Sequence, residues 1–240
     1  MSCFLERAMR TFVMGDIHGA FAALQQCLRR ARFDDQNDML ICLGDVADGW
    51  PETKACIQEL MKIKHLVYIL GNHDWWTRGW METGVADPNW LTQGGAATLV
   101  SYNNKPDAHH LKFLQKAAPF FLLENRLFVH AGIHPNQPLD VNDWDTFLWD
   151  RTLANQALER VGQTGAQNLT QFDEVFVGHT PVFTGTPVQG GGVWLMDTGA
   201  GWHGVLSIMN VHTKQVFTSD PVPGLYPGVK GREKRVASNS

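Results

Sequence analysis

The chain has 240 residues, 44% of them hydrophobic, with a formal charge of −4 and a pI of about 6.2. That composition supports a sizeable globular core and lacks the basic stripe of a nucleic-acid binder. No apolar run reaches the roughly 18 residues of a membrane helix, and MSCFLERAMR is too short and too charged for a signal peptide.

Thr11–Met14 reads as a short buried strand ending at Gly15. Phe21, Leu24, Leu28 and Ala31 recur at helical spacing, which predicts a helix over 20–32. An apolar strand over 39–43 ends at Gly44, a helix follows Pro51 over 52–63, and a third strand over 65–70 ends at Gly71. Strand–helix alternation of this kind predicts a parallel sheet flanked by helices. Residues 75–119 read as helix and loop, with a helix over 107–116 and several tryptophans (Trp75, Trp76, Trp80, Trp90, after Trp50) that suggest an aromatic loop region. Strand-like runs follow at Phe120–Leu123, 127–130, Glu174–Val177, 193–196, 205–209 and 215–218, with one helix over 145–159 and a polar loop over 163–170.

The predicted fold is therefore α/β, two packed sheets with helices on the outer faces. One domain is expected over 1–227, followed by a loose, solvated tail over 228–240 that carries Lys230, Arg232, Lys234 and Arg235. Cys3, Cys27, Cys42 and Cys56 form no CxxC pair and read as reduced, mostly buried thiols of a cytoplasmic protein.

Polar clusters stand directly after the apolar runs: Gly15-Asp16-Ile17-His18-Gly19, Gly44-Asp45-Val46-Ala47-Asp48, Gly71-Asn72-His73-Asp74, His130-Ala131-Gly132 and Gly178-His179. In α/β sheets ligands bind at the carboxyl ends of strands, so these clusters should converge. Asp16 and His18 can turn to one point. Asp45 has two oxygens and can bridge two ions. Asn72 offers an amide oxygen, and His130 and His179 offer imidazole nitrogens. Such mixed ligation suits two divalent ions, with Mn²⁺ favoured and Fe or Zn²⁺ as alternatives, rather than Ca²⁺ or a thiolate site.

The order and wording of these motifs resemble the phosphoprotein-phosphatase type of calcineurin-like metallophosphoesterases over roughly residues 11–201, and within it the compact bacterial and phage serine/threonine phosphatases. The resemblance implies that Asp16, His18 and Asp45 bind one metal and that Asp45, Asn72, His130 and His179 bind the other. It implies that His73 is the general acid toward the leaving oxygen and that Asp48 orients its imidazole. It also implies hydrolysis of a phosphomonoester, with phosphoserine or phosphothreonine in protein favoured. A symmetrical dinucleoside tetraphosphate hydrolase, a nucleotide phosphodiesterase and a non-catalytic phospho-binding regulatory protein are the alternatives. The expected partner is a phosphorylated protein or a small phosphoester, with no membrane and no nucleic acid; no sequence feature bears on oligomeric state.

One departure stands out. The family usually places a phosphate-gripping Arg where this chain has Gly49. Arg151, after Trp149-Asp150, fits the place of a second phosphate-binding Arg, and Arg78 is a weaker candidate to replace the lost cation. Gly49→Arg is accordingly expected to tighten phosphate binding. His134 reads as a loop residue near the site, His109 and His110 as solvated, and His65 and His212 as structural. His203 is left open between a site and a turn role. Asp74 reads as a partner for a nearby cation, and the tryptophans as packing rather than a substrate platform.

Overall fold

The computed structural model describes residues 8–232. The first half of the chain runs β1 (Thr11–Met14), α1 (Phe21–Arg30), β2 (Met39–Cys42), α2 (Thr53–Leu60), β3 (His65–Tyr68) and α3 (Asn72–Thr83). Short helices α4 (Pro88–Trp90) and α5 (Ala96–Ser101) and then α6 (Ala108–Gln115) lead to β4 (Phe120–Leu123) and β5 (Arg126–Val129). The second half contains α7 (Trp144–Trp149), α8 (Thr152–Leu158), β6 (Glu174–Val177), β7 (Val188–Gly190) and β8 (Val193–Leu195). It closes with β9 (Ser207–Asn210), β10 (Val216–Thr218) and α9 (Val222–Leu225).

The strands form two five-stranded sheets, β10-β9-β1-β2-β3 and β4-β5-β6-β8-β7. Strands β1, β2 and β3 pair in parallel, and the β9–β10 hairpin adds antiparallel to β1. In the second sheet β5, β6 and β8 are parallel, with β4 and β7 antiparallel at the edges.

The period-two alternation of each strand explains the layering. Val13 and Ile41 point between the sheets, where they meet Phe128, Phe176 and Met209. Phe12, Met14, Leu40 and Cys42 point the other way, onto Leu24, Ile57 and Leu60 of α1 and α2. Leu127, Val129, Val175 and Val177 cover α7 and α8 through Phe147, Leu153 and Ala157. Phe128 and Phe176 stack with centroids 4.7 Å apart at the midplane. Helices thus lie outside two facing sheets, and the two-sheet α/β sandwich expected from the sequence is the observed fold.

Some elements differ from expectation. The tryptophan-rich segment is not a loop: Trp75, Trp76 and Trp80 lie on α3, and Trp50, Trp80 and Trp90 are core residues. The single helix expected over 145–159 is two, because Asp143 caps α7 and the chain turns extended at Asp150. His110 is buried, its Nδ1 2.6 Å from the Tyr102 hydroxyl, and is not solvated.

The segment over 228–232 does not leave the body as expected of a tail. The Arg232 backbone N–H donates to Gly201 O at 3.0 Å. Lys234, Arg235 and the rest of 233–240 lie outside the described residues, as does Cys3. Cys27, Cys42 and Cys56 are free and buried. Among the described residues no helix is long and apolar enough to cross a membrane.

Candidate metal centre

Asp16 and His18 follow β1, Asp45 follows β2, Asn72 opens α3 after β3, His130 follows β5 and His179 follows β6. All six are buried. Parallel pairing brings the ends of β1, β2 and β3 side by side, and the facing sheet brings β5 and β6 against them. Two ligand groups result, Asp16–His18–Asp45 and Asp45–His130–His179, each with donor atoms within 4.8 Å of one another. Asp45 belongs to both, and Asn72 reaches the second through its Oδ1.

Asp45 is held by Asp74. The Asp74 carboxylate accepts the N–H groups of Asp45, Val46, Ala47 and Gly71 and the Tyr68 hydroxyl. Asp74 therefore needs no cation; it shapes the turn that aims Asp45, contrary to the pairing expected. Gly71 and Gly178 are needed for close approach, since a Cβ at either would collide with the Asp45 or Asp16 carboxylate. His18, Asp45, Asp48 and His179 all adopt positive φ, a backbone region costly for non-glycine residues and often stored at functional sites.

The chemistry of the donor set fits divalent ions. His130 Nδ1 lies 2.8 Å from Leu43 O and His18 Nδ1 lies 2.9 Å from Ala47 O, so each donates there and presents a lone pair at Nε2. His130 Nε2 then faces Asn72 Oδ1 at 3.0 Å and Asp45 Oδ2 at 3.5 Å, acceptors set against an acceptor. A cation between them removes that conflict. Asp16 Oδ1 and His179 Nε2 are buried without hydrogen-bond partners. Burial lowers His130 to about 4 and takes His18 and His179 well below the usual range, keeping them neutral ligands. Burial pushes Asp45 up to about 8 and Asp16 well above its ordinary value, reinforced at Asp16 by Asp197 and Asp45. Carboxylates packed this tightly call for positive charge among them.

His73 and Asp48 form a pair beside this cluster. His73 Nδ1 lies 2.6 Å from Asp48 Oδ2, which leaves Nε2 as the nitrogen not engaged by Asp48. Asp48 also accepts Trp90 Nε1–H at 2.7 Å and Thr98 Oγ1–H at 2.7 Å. Sequence reasoning missed Trp90 and Thr98, because no local pattern links residues some 40 to 50 positions from the carboxylate they fix. Burial, then the Arg232, His130 and Arg151 charges, lower His73 well below the ordinary histidine range. Burial raises Asp48 to about 7.

A cleft of about 390 Å³ opens above, lined by Asp45, Asn72, His73, His179, Arg151 and Arg232, with Trp76 and Trp149 at its side. Arg151 donates from Nη2 to His179 O at 3.3 Å and lines the cleft. Arg78 does not line it. It lies over the Trp75 ring at 4.2 Å and beside Glu82 at 3.9 Å. The Gly49 loop does face the site, with the position of a Cβ at Gly49 3.5 Å from His18 Cβ. His134 is exposed and outside both ligand groups. His203 stacks on Phe183 at 4.4 Å. Asp197, unassigned from sequence, is buried next to Asp16 and accepts the Gly199 N–H.

Buried carboxylates, neutral imidazoles and an amide at the strand ends of a two-sheet sandwich define a metal-dependent hydrolase architecture. The sequence model of the calcineurin-like phosphoesterases matches residues 9–204, and the chain belongs to that family. It is 29% identical over 209 residues to serine/threonine-protein phosphatase 1 of Salmonella typhimurium, covering 83% of this chain and 91% of that one. It is 26% identical to a symmetrical bis(5'-nucleosyl)-tetraphosphatase of Pseudomonas fluorescens, over 91% of this chain and 98% of the other. Among solved structures, a metallophosphoesterase from Sphaerobacter thermophilus superposes with a TM-score of 0.59 at 16% identity, over 90% of this chain and 89% of that one. A protein serine/threonine phosphatase from Saccharomyces cerevisiae gives 0.60 at 13%, over 95% and 84%. The chain is a hydrolase acting on phosphoesters.

Proposed function

We propose that the chain is a dimetal phosphomonoesterase that acts on phosphoserine or phosphothreonine in protein. The observation that carries the dimetal reading is the pair of ligand groups sharing Asp45. Asp16 and His18 complete one ion's set, and Asn72, His130 and His179 complete the other's. Mn²⁺ is the proposed metal, and the mix of carboxylate, amide and imidazole donors also suits Fe or Zn²⁺. When bound, the ions supply charge to the phosphate oxygens and acidify water for attack at phosphorus.

The chain's own residues do the rest. Arg151 faces the same cleft and orients the phosphoryl group through its guanidinium fork. His73 is placed to give the leaving oxygen its proton from Nε2. Asp48 fixes the tautomer by accepting at Nδ1 and favours the protonated ring that burial opposes. Trp90 and Thr98 hold the Asp48 carboxylate in that orientation.

The favoured substrate rests on the Salmonella relative, a protein phosphatase by name. A second reading, cleavage of a symmetrical dinucleoside tetraphosphate, is favoured by relatives of that name matching over most of their length. Turnover of a phosphoserine peptide, p-nitrophenyl phosphate, its bis-ester and diadenosine tetraphosphate by the Mn²⁺-loaded protein separates the readings. The monoester and the phosphopeptide should be the best substrates. Preference for the tetraphosphate would move the assignment to the second reading. Asp45→Asn should lose metal and turnover together, and turnover that survives metal depletion would refute the dimetal assignment.

A further inference from the structure

Position 49 lacks a side chain, but the space beside it is filled. A Cβ built on Gly49 would lie 3.2 Å from Cγ of Arg232, more than 180 residues away in sequence. The segment that delivers Arg232 is anchored. Tyr226 stacks on Trp50 with centroids 5.0 Å apart, and its hydroxyl donates to Glu52 at 2.6 Å while accepting the Ala22 N–H. The Arg232 main chain bonds Gly201, and its guanidinium lies 4.6 Å from the centre of the Trp202 ring. That cation–π contact orients a planar fork without using its in-plane donors.

The guanidinium enters the metal-side cleft with Arg151, Asn72 and His73. Nη1 lies 3.2 Å from His18 Nε2, and Nε is buried with no hydrogen-bond partner. His18 would hold an ion through its Nε2 lone pair, which would leave the Arg232 donors free for an anion in the cleft.

We propose that Arg232 is a substrate-phosphate ligand. It approaches from the C-terminal segment into the space a side chain at position 49 would occupy, and it grips the phosphoryl oxygens together with Arg151. The inference rests on the reading of this cleft as the phosphoester site. The acidic floor of Asp16, Asp45 and Asp197 is compatible with an anion only once metal charge offsets it, so phosphate should bind in the metal-loaded protein.

The test is inorganic phosphate binding to the Mn²⁺-loaded full chain by calorimetry, with metal content measured on the same samples. Arg232→Ala and Arg232→Gln should weaken phosphate roughly tenfold or more and raise KM for p-nitrophenyl phosphate by a similar factor. These values follow from the loss of a charge-assisted fork. Arg232→Lys, which keeps charge but not the fork, should fall between them and wild type. Metal content should be unchanged. Wild-type phosphate affinity in Arg232→Ala with full metal overturns the proposal while leaving the phosphoesterase reading intact. So does tighter metal binding in Arg232→Ala with unchanged phosphate affinity, which would make Arg232 a counter-charge to the carboxylates. Absence of phosphate binding in the wild-type loaded protein would instead overturn the reading of the cleft itself.

Discussion

At the scale of single residues, geometry separates groups that bind from groups that aim. Asp45 is a candidate ligand, whereas Asp74, a buried carboxylate 29 positions on, spends its oxygens on holding the Asp45 turn. The His73 ring is committed to Asp48 through Nδ1 and belongs to neither ligand group, so replacing its side chain should spare the metals. His73→Asn is expected to keep full metal content and to lose about 10²–10⁴ in kcat on an alkyl phosphate. The loss should be much smaller on p-nitrophenyl phosphate, whose leaving group needs little help, and steady-state kinetics on the two substrates checks this. Gly49→Arg looked from sequence like a gain in phosphate affinity. The structure reverses that expectation. Gly49 sits at φ +90°, where a side chain is strained, and the space beside it is held by Arg232. The variant should melt at lower temperature and show no tighter inhibition by phosphate, measured by thermal denaturation and competition kinetics.

Among the elements, Glu174 at the start of β6 is an electrostatic tie. It accepts from Arg126 of β5 at 2.8 Å, from Lys214 in the β9–β10 turn at 2.5 Å and from Trp194 of β8 at 2.8 Å. Although burial pulls the other way, these donors bring its carboxyl below the ordinary value of 4.5. A depressed folded-state value means the stabilisation is present above pH 4.5 and is lost as pH falls through the folded value. Glu174→Gln should therefore lower the melting temperature at pH 7 by about 2–4 °C. The difference from wild type should shrink toward pH 3 in a melting series.

The strands around such ties were legible because fully buried strands are short apolar runs closed by glycine. Thr11–Met14 and Glu174–Val177, each closed by a glycine, are found where the sequence put them, as is the partly exposed edge strand Phe120–Leu123. The six ligand candidates were legible because each follows such a run. The break between α7 and α8 was not, since helical periodicity continues across Asp150 and only the turn that points Arg151 into the cleft interrupts it. Nor was Arg232. Its partner His18 is 214 residues away, and a basic stretch near a chain end reads locally as a solvated tail.

Across the whole molecule, the candidate metal centre draws on both sheets at one point. Asp16, His18 and Asp45 come from the first sheet, and His130 and His179 come from the second. Divalent ions held there would stabilise the folded state by mass action, about 4 kcal/mol at a thousandfold excess over Kd. Chelation should therefore lower the melting temperature by several degrees, and Mn²⁺ should restore it in a dose-dependent way. An unchanged transition on chelation, at proven metal loss, would show that the sheets do not depend on the ions.

The strand order has a consequence for the birth of the protein. β1 sits at the centre of its sheet with β2 on one side and β9 on the other, and β9 begins at Ser207. At roughly 5–20 residues per second of synthesis, the open side of β1 waits on the order of ten to forty seconds for its partner. Through that interval an apolar strand presents unpaired N–H and C=O groups to any neighbouring chain. Crowded or slowed translation therefore lengthens the interval in which this chain is exposed to aggregation, although every residue of the candidate metal centre up to His179 has by then been synthesised.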